Sequence, residues 1–304
     1  MEKSGNLDAV TVLYATIAIL TWSSAYAAIA YDLAAFTPGE IALARLTLGT
    51  VCFLLWMRAQ RLALPPVRRW PPLLALGVVG LAMYHICLNY SETAISSGTA
   101  AIIIALAPAA TSGAAALWLH ERLSARMICG LVVALMGAVL VVLTSGESVR
   151  FQPKAALALV SVLATAVYFT AQKPQSSRYG AAAVTTVTCI GGALGALPFG
   201  LGLPHALVAT SGPHIAALLW LGLAPTFVGY LTWNMAIHRA SVSKVSSFIY
   251  FSTPIALLIG WLWLGERPGW STLIGGTMVV GGVILSNMKE RMPVRAARAT
   301  SCHS

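Results

Sequence analysis

Eight stretches of this chain contain no Asp, Glu, Lys or Arg: 9–31, 70–91, 93 to just short of Glu121, 127–146, 155–172, 179–238, 245–265 and 268–288. A bilayer core about 30 Å thick takes roughly 20 apolar residues per helix, and most of these stretches have that length. The stretch 179–238 is long enough for two spans, and "GLPHALVATSGPH" (202–214) breaks it with Pro, Gly and His. One more span lies between Glu40 and Arg58, apolar except for Arg45. The pattern predicts an all-α integral membrane protein with ten transmembrane helices. A soluble chain does not bury ten such helices in succession with connections this short. A membrane barrel would alternate polar and apolar residues, whereas these runs are continuously apolar.

Charge placement predicts the orientation. The net charge is +10 although only 9% of residues are charged. With the amino terminus inside, fifteen Lys and Arg face the cytoplasm and only Arg150, Lys154 and Arg267 face outward. That bias predicts that both termini are cytoplasmic. The basic tail 289–304 reads as a topology anchor near anionic lipid, and only secondarily as a partner-binding arm. The first span is read as retained rather than as a cleaved signal peptide. Cys52, Cys87, Cys129 and Cys189 fall one to a span, with Cys302 in the tail; they have neither metal-ligand spacing nor a disulfide framework, and read as buried small hydrophobes.

The hexapeptide "LWLHER" (117–122) returns as "LWLGER" (262–267), 145 positions later. At the same offset Asn89 meets Asn234, Ser96 meets Ser241, Gly130 meets Gly275 and Gly137 meets Gly282; Pro108 and Pro254 are 146 apart. The chain therefore reads as a duplication: a cytoplasmic segment 1–8, a five-helix repeat 9–146, a periplasmic linker 147–152, a second repeat 153–288 and the tail 289–304. Five spans are an odd number, so the second repeat enters from the opposite side. Inverted repeats related by an axis in the membrane plane build many secondary transporters, with the substrate held near the midplane.

Ten spans in two inverted repeats, each with a Pro followed about a dozen residues later by "HER" or "GER", resemble the EamA-domain branch of the drug/metabolite transporter superfamily. "TPGEIALARLTLG", with Pro38 and Arg45, resembles the family's second span. In general likeness the chain is most similar to bacterial amino-acid exporters of the YddG type. The resemblance implies export of small metabolites across the bacterial inner membrane, with amino acids favoured and drugs or lipophilic cations as the alternative. The second repeat has no counterpart of Arg45 in "AAAVTTVTCIGGALGALPFG".

Several residues are candidates for lining a substrate site. Arg45 either snorkels to the outer headgroups, pairs with Glu40 or binds a substrate carboxylate. "MYHICLNY" (83–90) brings Tyr84, His85 and Asn89 together, with His85 and Asn89 one turn apart on one face. Its histidine is a candidate proton carrier. Trp22, Ser23, Tyr168, Trp233, Asn234, Ser247 and Tyr250 lie at similar depth and offer aromatic surface or polar tips. Pro108 and Pro254 are read as mid-span kinks about which the halves rock, and the paired glycines as close helix contacts. Absent motifs narrow the class: there is no GxxxxGK[ST] loop, zinc-protease motif or nucleophile elbow, and both Asp residues lie at span ends. The reading is a secondary transporter with alternating access, not an enzyme. It takes a small-molecule substrate among membrane lipid, with no cofactor, metal or nucleic acid, and a monomer suffices in principle.

Overall fold

The computed structural model describes residues 8–118, 125–144, 153–239 and 247–287, and all regular structure among them is helical. In chain order these are α1 (Ala9–Asp32), α2 (Pro38–Ala59), α3 (Trp70–Gly77), α4 (Met83–Ser91), α5 (Ser97–Ile104), α6 (Ala107–Trp118) and α7 (Ala125–Thr144). There follow α8 (Pro153–Tyr179), α9 (Ala181–Ala196), α10 (Leu203–Ala209), α11 (Gly212–Leu221), α12 (Tyr230–Arg239), α13 (Ser252–Leu264) and α14 (Trp270–Asn287). Six stretches are long and apolar enough to cross a membrane, namely α1, α2, Val67–Ser91, α8, Ala181–Phe199 and Gly212–Ala236. Further apolar helical stretches are Ser97–Thr111 across α5 and α6, Ile128–Val141 within α7, Ser252–Leu264 (α13) and Trp270–Leu285 within α14.

Local chemistry explains the helix starts. Asp8 caps α1 by accepting from the Thr11 N–H at 2.9 Å. Thr37 and Glu40 form a reciprocal capping box around Pro38, so α2 begins where its proline no longer matters. The Pro/Gly/His stretch at 202–214 is indeed a break: α9 runs out in a 3-10 turn, and the short α10 precedes α11.

Helix interruptions recur at the spacing of the sequence repeat. A π-helical turn, Val78–Ala82, joins α3 to α4, and another, Gly222–Gly229, joins α11 to α12. Helix α6 starts at Ala107 and α13 at Ser252, 145 residues on. These restarts fall at Pro108 and Pro254, the prolines read as mid-span kinks: the regular helix is interrupted just ahead of each. Each proline lies in the first turn of a helix, where a missing N–H costs little, and not in a helix interior. Pro254 is exposed, and the side chain of Pro108 lies outside the described residues. The prolines within helices are instead Pro174 in α8 and Pro225 in the second π segment.

Glycines set a close crossing between α7 and α14. A Cβ on Gly137 would lie 2.6 Å from the Gly275 carbonyl, and one on Gly282 would lie 2.5 Å from the Gly130 carbonyl. The numbers rise along one helix as they fall along the other, so the two helices run antiparallel. Gly77 and Gly191 similarly bring α3 and α9 into backbone contact. At one end of the bundle Arg239 of α12 reaches Asp8 at 2.8 Å. Leu55, Met136, Leu163 and Leu262 present large exposed apolar surface, as lipid contact requires. Of the four described cysteines only Cys189 is buried, and Cys129 is exposed, so the uniform expectation of buried cysteines does not hold.

Candidate functional site: a closed polar cluster

Arg45 is the one cation in the interior of α2, and only 4% of it is exposed. Its Nε donates to Thr226 Oγ1 at 3.3 Å, in the second π segment, and Thr226 in turn donates to the Leu221 carbonyl at 2.8 Å. Glu40 is occupied by the Thr37 backbone. Both bland expectations for Arg45, snorkelling and pairing with Glu40, are therefore set aside: the guanidinium points into the protein. Within its electrostatic reach lie Tyr84 of α4, Tyr230 of α12, Glu92 in the turn after α4, and Tyr26 of α1. Four separate parts of the chain thus converge on one cation.

His85 is buried beside this cluster, with its ring edge-on to Tyr84 at 4.7 Å and neither nitrogen hydrogen-bonded among the described residues. Tyr84 and His85, expected to line a cavity together, are sequence neighbours whose rings pack on each other beside Arg45. Asn89 was expected to share their task but does something else: its Nδ2 donates to the Pro38 carbonyl at 2.9 Å and ties α4 to the start of α2.

The aromatic candidates divide. Trp22 donates to the Pro225 carbonyl at 3.0 Å, its ring 5.6 Å from Tyr230 and 5.1 Å from Trp233. It forms the wall behind Tyr230. Trp233 packs with Ala15, Ala18 and Ile19 of α1. Ser23 is a joint between α1 and α13, bonded to the Ile19 carbonyl and to Ser252. Tyr168 shares a hydrogen bond with Thr188 at 3.1 Å, and its ring fills the space a side chain at Gly80 would need. That makes it a packing residue of α8 against the first π turn and α9. Asn234 is partly buried, and its Nδ2 has no partner among the described residues. Ser247 and Tyr250 fall in a 3-10 turn, and their side chains lie outside the described residues.

The sequence reading missed Tyr26, Glu92, Thr226 and Tyr230. Three are ordinary tyrosines or threonines in apolar runs, and Glu92 is the lone charge that separates two of those runs. In the fold it is 7% exposed, with neither carboxylate oxygen hydrogen-bonded among the described residues. Burial, with the Glu266 carboxylate within electrostatic reach, pushes its carboxyl well above the usual range. Glu266 itself accepts from the Ser97 hydroxyl at 2.7 Å and from the Ser97 and Gly98 N–H groups at the start of α5. A second pair lies apart from the cluster: Asp32, fully buried at the end of α1, meets His214 at 3.3 Å, and Tyr31 stacks on the same imidazole.

Apolar helices long enough to cross a bilayer, surrounding a cation and a carboxyl closed off from their surface, are the build of a membrane transport protein. Comparison with known proteins gives the kind. The profile of the EamA-like transporter family matches residues 9–143 and again 152–288, and the chain belongs to that family. A probable terminal-alkyne amino-acid exporter of Streptantibioticus cattleyicolor is 30% identical, the alignment covering 90% of this chain and 92% of that one. The uncharacterized transporter YdfC of Bacillus subtilis is also 30% identical, over 88% of each chain. The pseudopaline exporter CntI of Pseudomonas aeruginosa is 27% identical over 92% of this chain and 96% of its own. One solved crystal structure, 22% identical, shares the fold with a TM-score of 0.60 over 91% of this chain and 96% of its own.

Proposed function

We propose that this protein exports small metabolites, with amino acids favoured, from the cytoplasm across the bacterial inner membrane. It works by alternating access between two inverted five-helix halves, with ten spans and both termini inside.

The observation that carries the reading is Arg45, a buried cation whose hydrogen bond to Thr226 runs from the first half of the chain to the second. A guanidinium enclosed by tyrosines is suited to a carboxylate, which its fork binds in a bidentate way. Packing supports the inverted pairing. Helix α1 packs on α13 and α12, while its counterpart α8 packs on α6 and α4. Likewise α2 packs on the second π segment, and α9 on the first. Exchanging the halves exchanges these contacts. The double match of the family profile and the exporters among the relatives favour the same conclusion.

The test is counterflow: proteoliposomes loaded with unlabelled amino acids are presented with labelled ones. Selective accumulation supports an amino-acid carrier. A folded preparation that accumulates none, but does accumulate lipophilic cations, overturns that cargo in favour of the aromatic cluster as a cation site.

A further inference from the structure

Glu92 is a buried acid whose oxygens have no hydrogen-bond partner among the described residues. An ionised carboxylate in that position is costly unless something binds it. The charged and titratable groups facing it are Arg45 from α2, Tyr26 from α1, Tyr84 from α4 and Glu266 from the end of α13. Glu266 is already engaged at the start of α5, so it offers Glu92 no proton donor. Arg45 and Glu92 feel each other's charge, yet no ion pair joins them; the described ion pairs are Asp32 with His214 and Asp8 with Arg239. The cluster thus holds a cation and an acid that do not touch. An α-amino acid is the complement of that arrangement, because it carries a carboxylate and an ammonium on one carbon.

We propose, on the reading of this protein as an amino-acid exporter, that Glu92 binds the substrate ammonium while Arg45 binds its carboxylate, and that a proton competes with the substrate for Glu92. In the loaded state the ionised Glu92 faces the ammonium. When the amino acid leaves on the outside, the carboxylate takes up one proton there. The neutral acid returns with the empty site and gives the proton up to the cytoplasm, where the next substrate replaces it. One proton, and one positive charge, enters for each zwitterion that leaves, which is the direction an exporter needs. His85 suits this role less well: its protonation adds a second positive charge beside Arg45, whereas protonation of Glu92 removes a negative one.

The experiment is L-methionine counterflow in proteoliposomes between pH 5.5 and 8, with wild type, Glu92→Gln and Glu92→Asp, each first shown to be monodisperse. In wild type the half-saturating methionine concentration rises with acidity, by up to about tenfold per pH unit where proton and substrate compete. Glu92→Gln raises it at least tenfold at neutral pH and flattens its pH dependence; Glu92→Asp restores the slope. Inhibition by 4-(methylthio)butanoate, which lacks the ammonium, is equal in wild type and Glu92→Gln. A wild type whose half-saturation ignores pH, or a Glu92→Gln protein with the wild-type profile, overturns the role of Glu92 and leaves the exporter reading standing. Absence of methionine counterflow in monodisperse wild type overturns both.

Discussion

The carboxylate of Glu266 lies at the first turn of a helix from the other half of the chain, 2.7 Å from the hydroxyl of Ser97 and 3.1 Å from its N–H. An anion at a helix N-terminus satisfies orphan donors and complements the helix dipole. This contact explains one residue of the repeated hexapeptide. At the 145-residue offset the counterparts are Glu121 and Val242, both outside the described residues; the acid is repeated in the sequence and the hydroxyl is not.

Replacing Glu266 with Gln keeps an acceptor and should cost less than about 1 kcal/mol. Glu266→Ala leaves the Ser97 and Gly98 donors unpaired, with an expected loss of about 1–3 kcal/mol. Thermal unfolding in detergent checks the order; an alanine variant as stable as wild type excludes the cap as a structural tie.

Arg45→Ala should abolish uptake of labelled amino acids. Arg45→Lys should recover less than about a tenth of the wild-type rate, since an ammonium has no Nε for Thr226 and no planar fork. Thr226→Val, which removes that orienting bond, should raise KM more than it lowers kcat. Wild-type counterflow by Arg45→Ala would make the cation a structural element.

Tyr168→Phe tests the separation of packing from binding. Loss of its hydrogen bond to Thr188 should cost about 1 kcal/mol and leave KM unchanged. A several-fold change in KM at full stability would return Tyr168 to the substrate site.

At the crossing of α7 and α14, Gly137→Val must push against the Gly275 backbone. The expected cost is about 1–3 kcal/mol or more, because a backbone neighbour cannot rotate away. At Gly281 a Cβ would meet nothing within 4 Å, so Gly281→Ala is the matched control and should leave the melting temperature unchanged or slightly raised.

Acid stability reports on Asp8. Its hydrogen bonds from Thr11, then from Arg239, hold its carboxyl below the usual range. A depressed folded-state value means that its contribution is complete above the unfolded pKa of about 3.9 and fades only as pH falls towards the folded value. Asp8→Asn should therefore lower stability equally at pH 6 and pH 8, as thermal melts at the two values will read. A difference between them would mean that another group dominates there.

The helical class and the break at 202–214 were legible in the sequence, and so was Arg45 as an oddity, because a lone charge in an apolar run stands out against its neighbours. Tyr84 and His85 were singled out through their polar company. Tyr26, Tyr230 and Thr226 carry no such contrast; they differ from packing residues only in what tertiary structure puts opposite them. Glu92 was passed over for a related reason. A charge at a predicted span boundary reads as a headgroup residue, and only packing of the turn after α4 shows it turned inward. The π turns were invisible as well, since they change the register of a helix without changing its composition.

The α7–α14 crossing bears on how such a chain arises. Gly130 and Gly137 correspond by repeat to Gly275 and Gly282, and the contacts pair Gly130 with Gly282 and Gly137 with Gly275. Swapping the two halves turns each contact into the other, which is what a surface does when it meets its own copy about a two-fold axis. A surface of this kind is self-complementary: a unit carrying it can pair with a second copy of itself, and a chain holding two copies can make the same contact within itself.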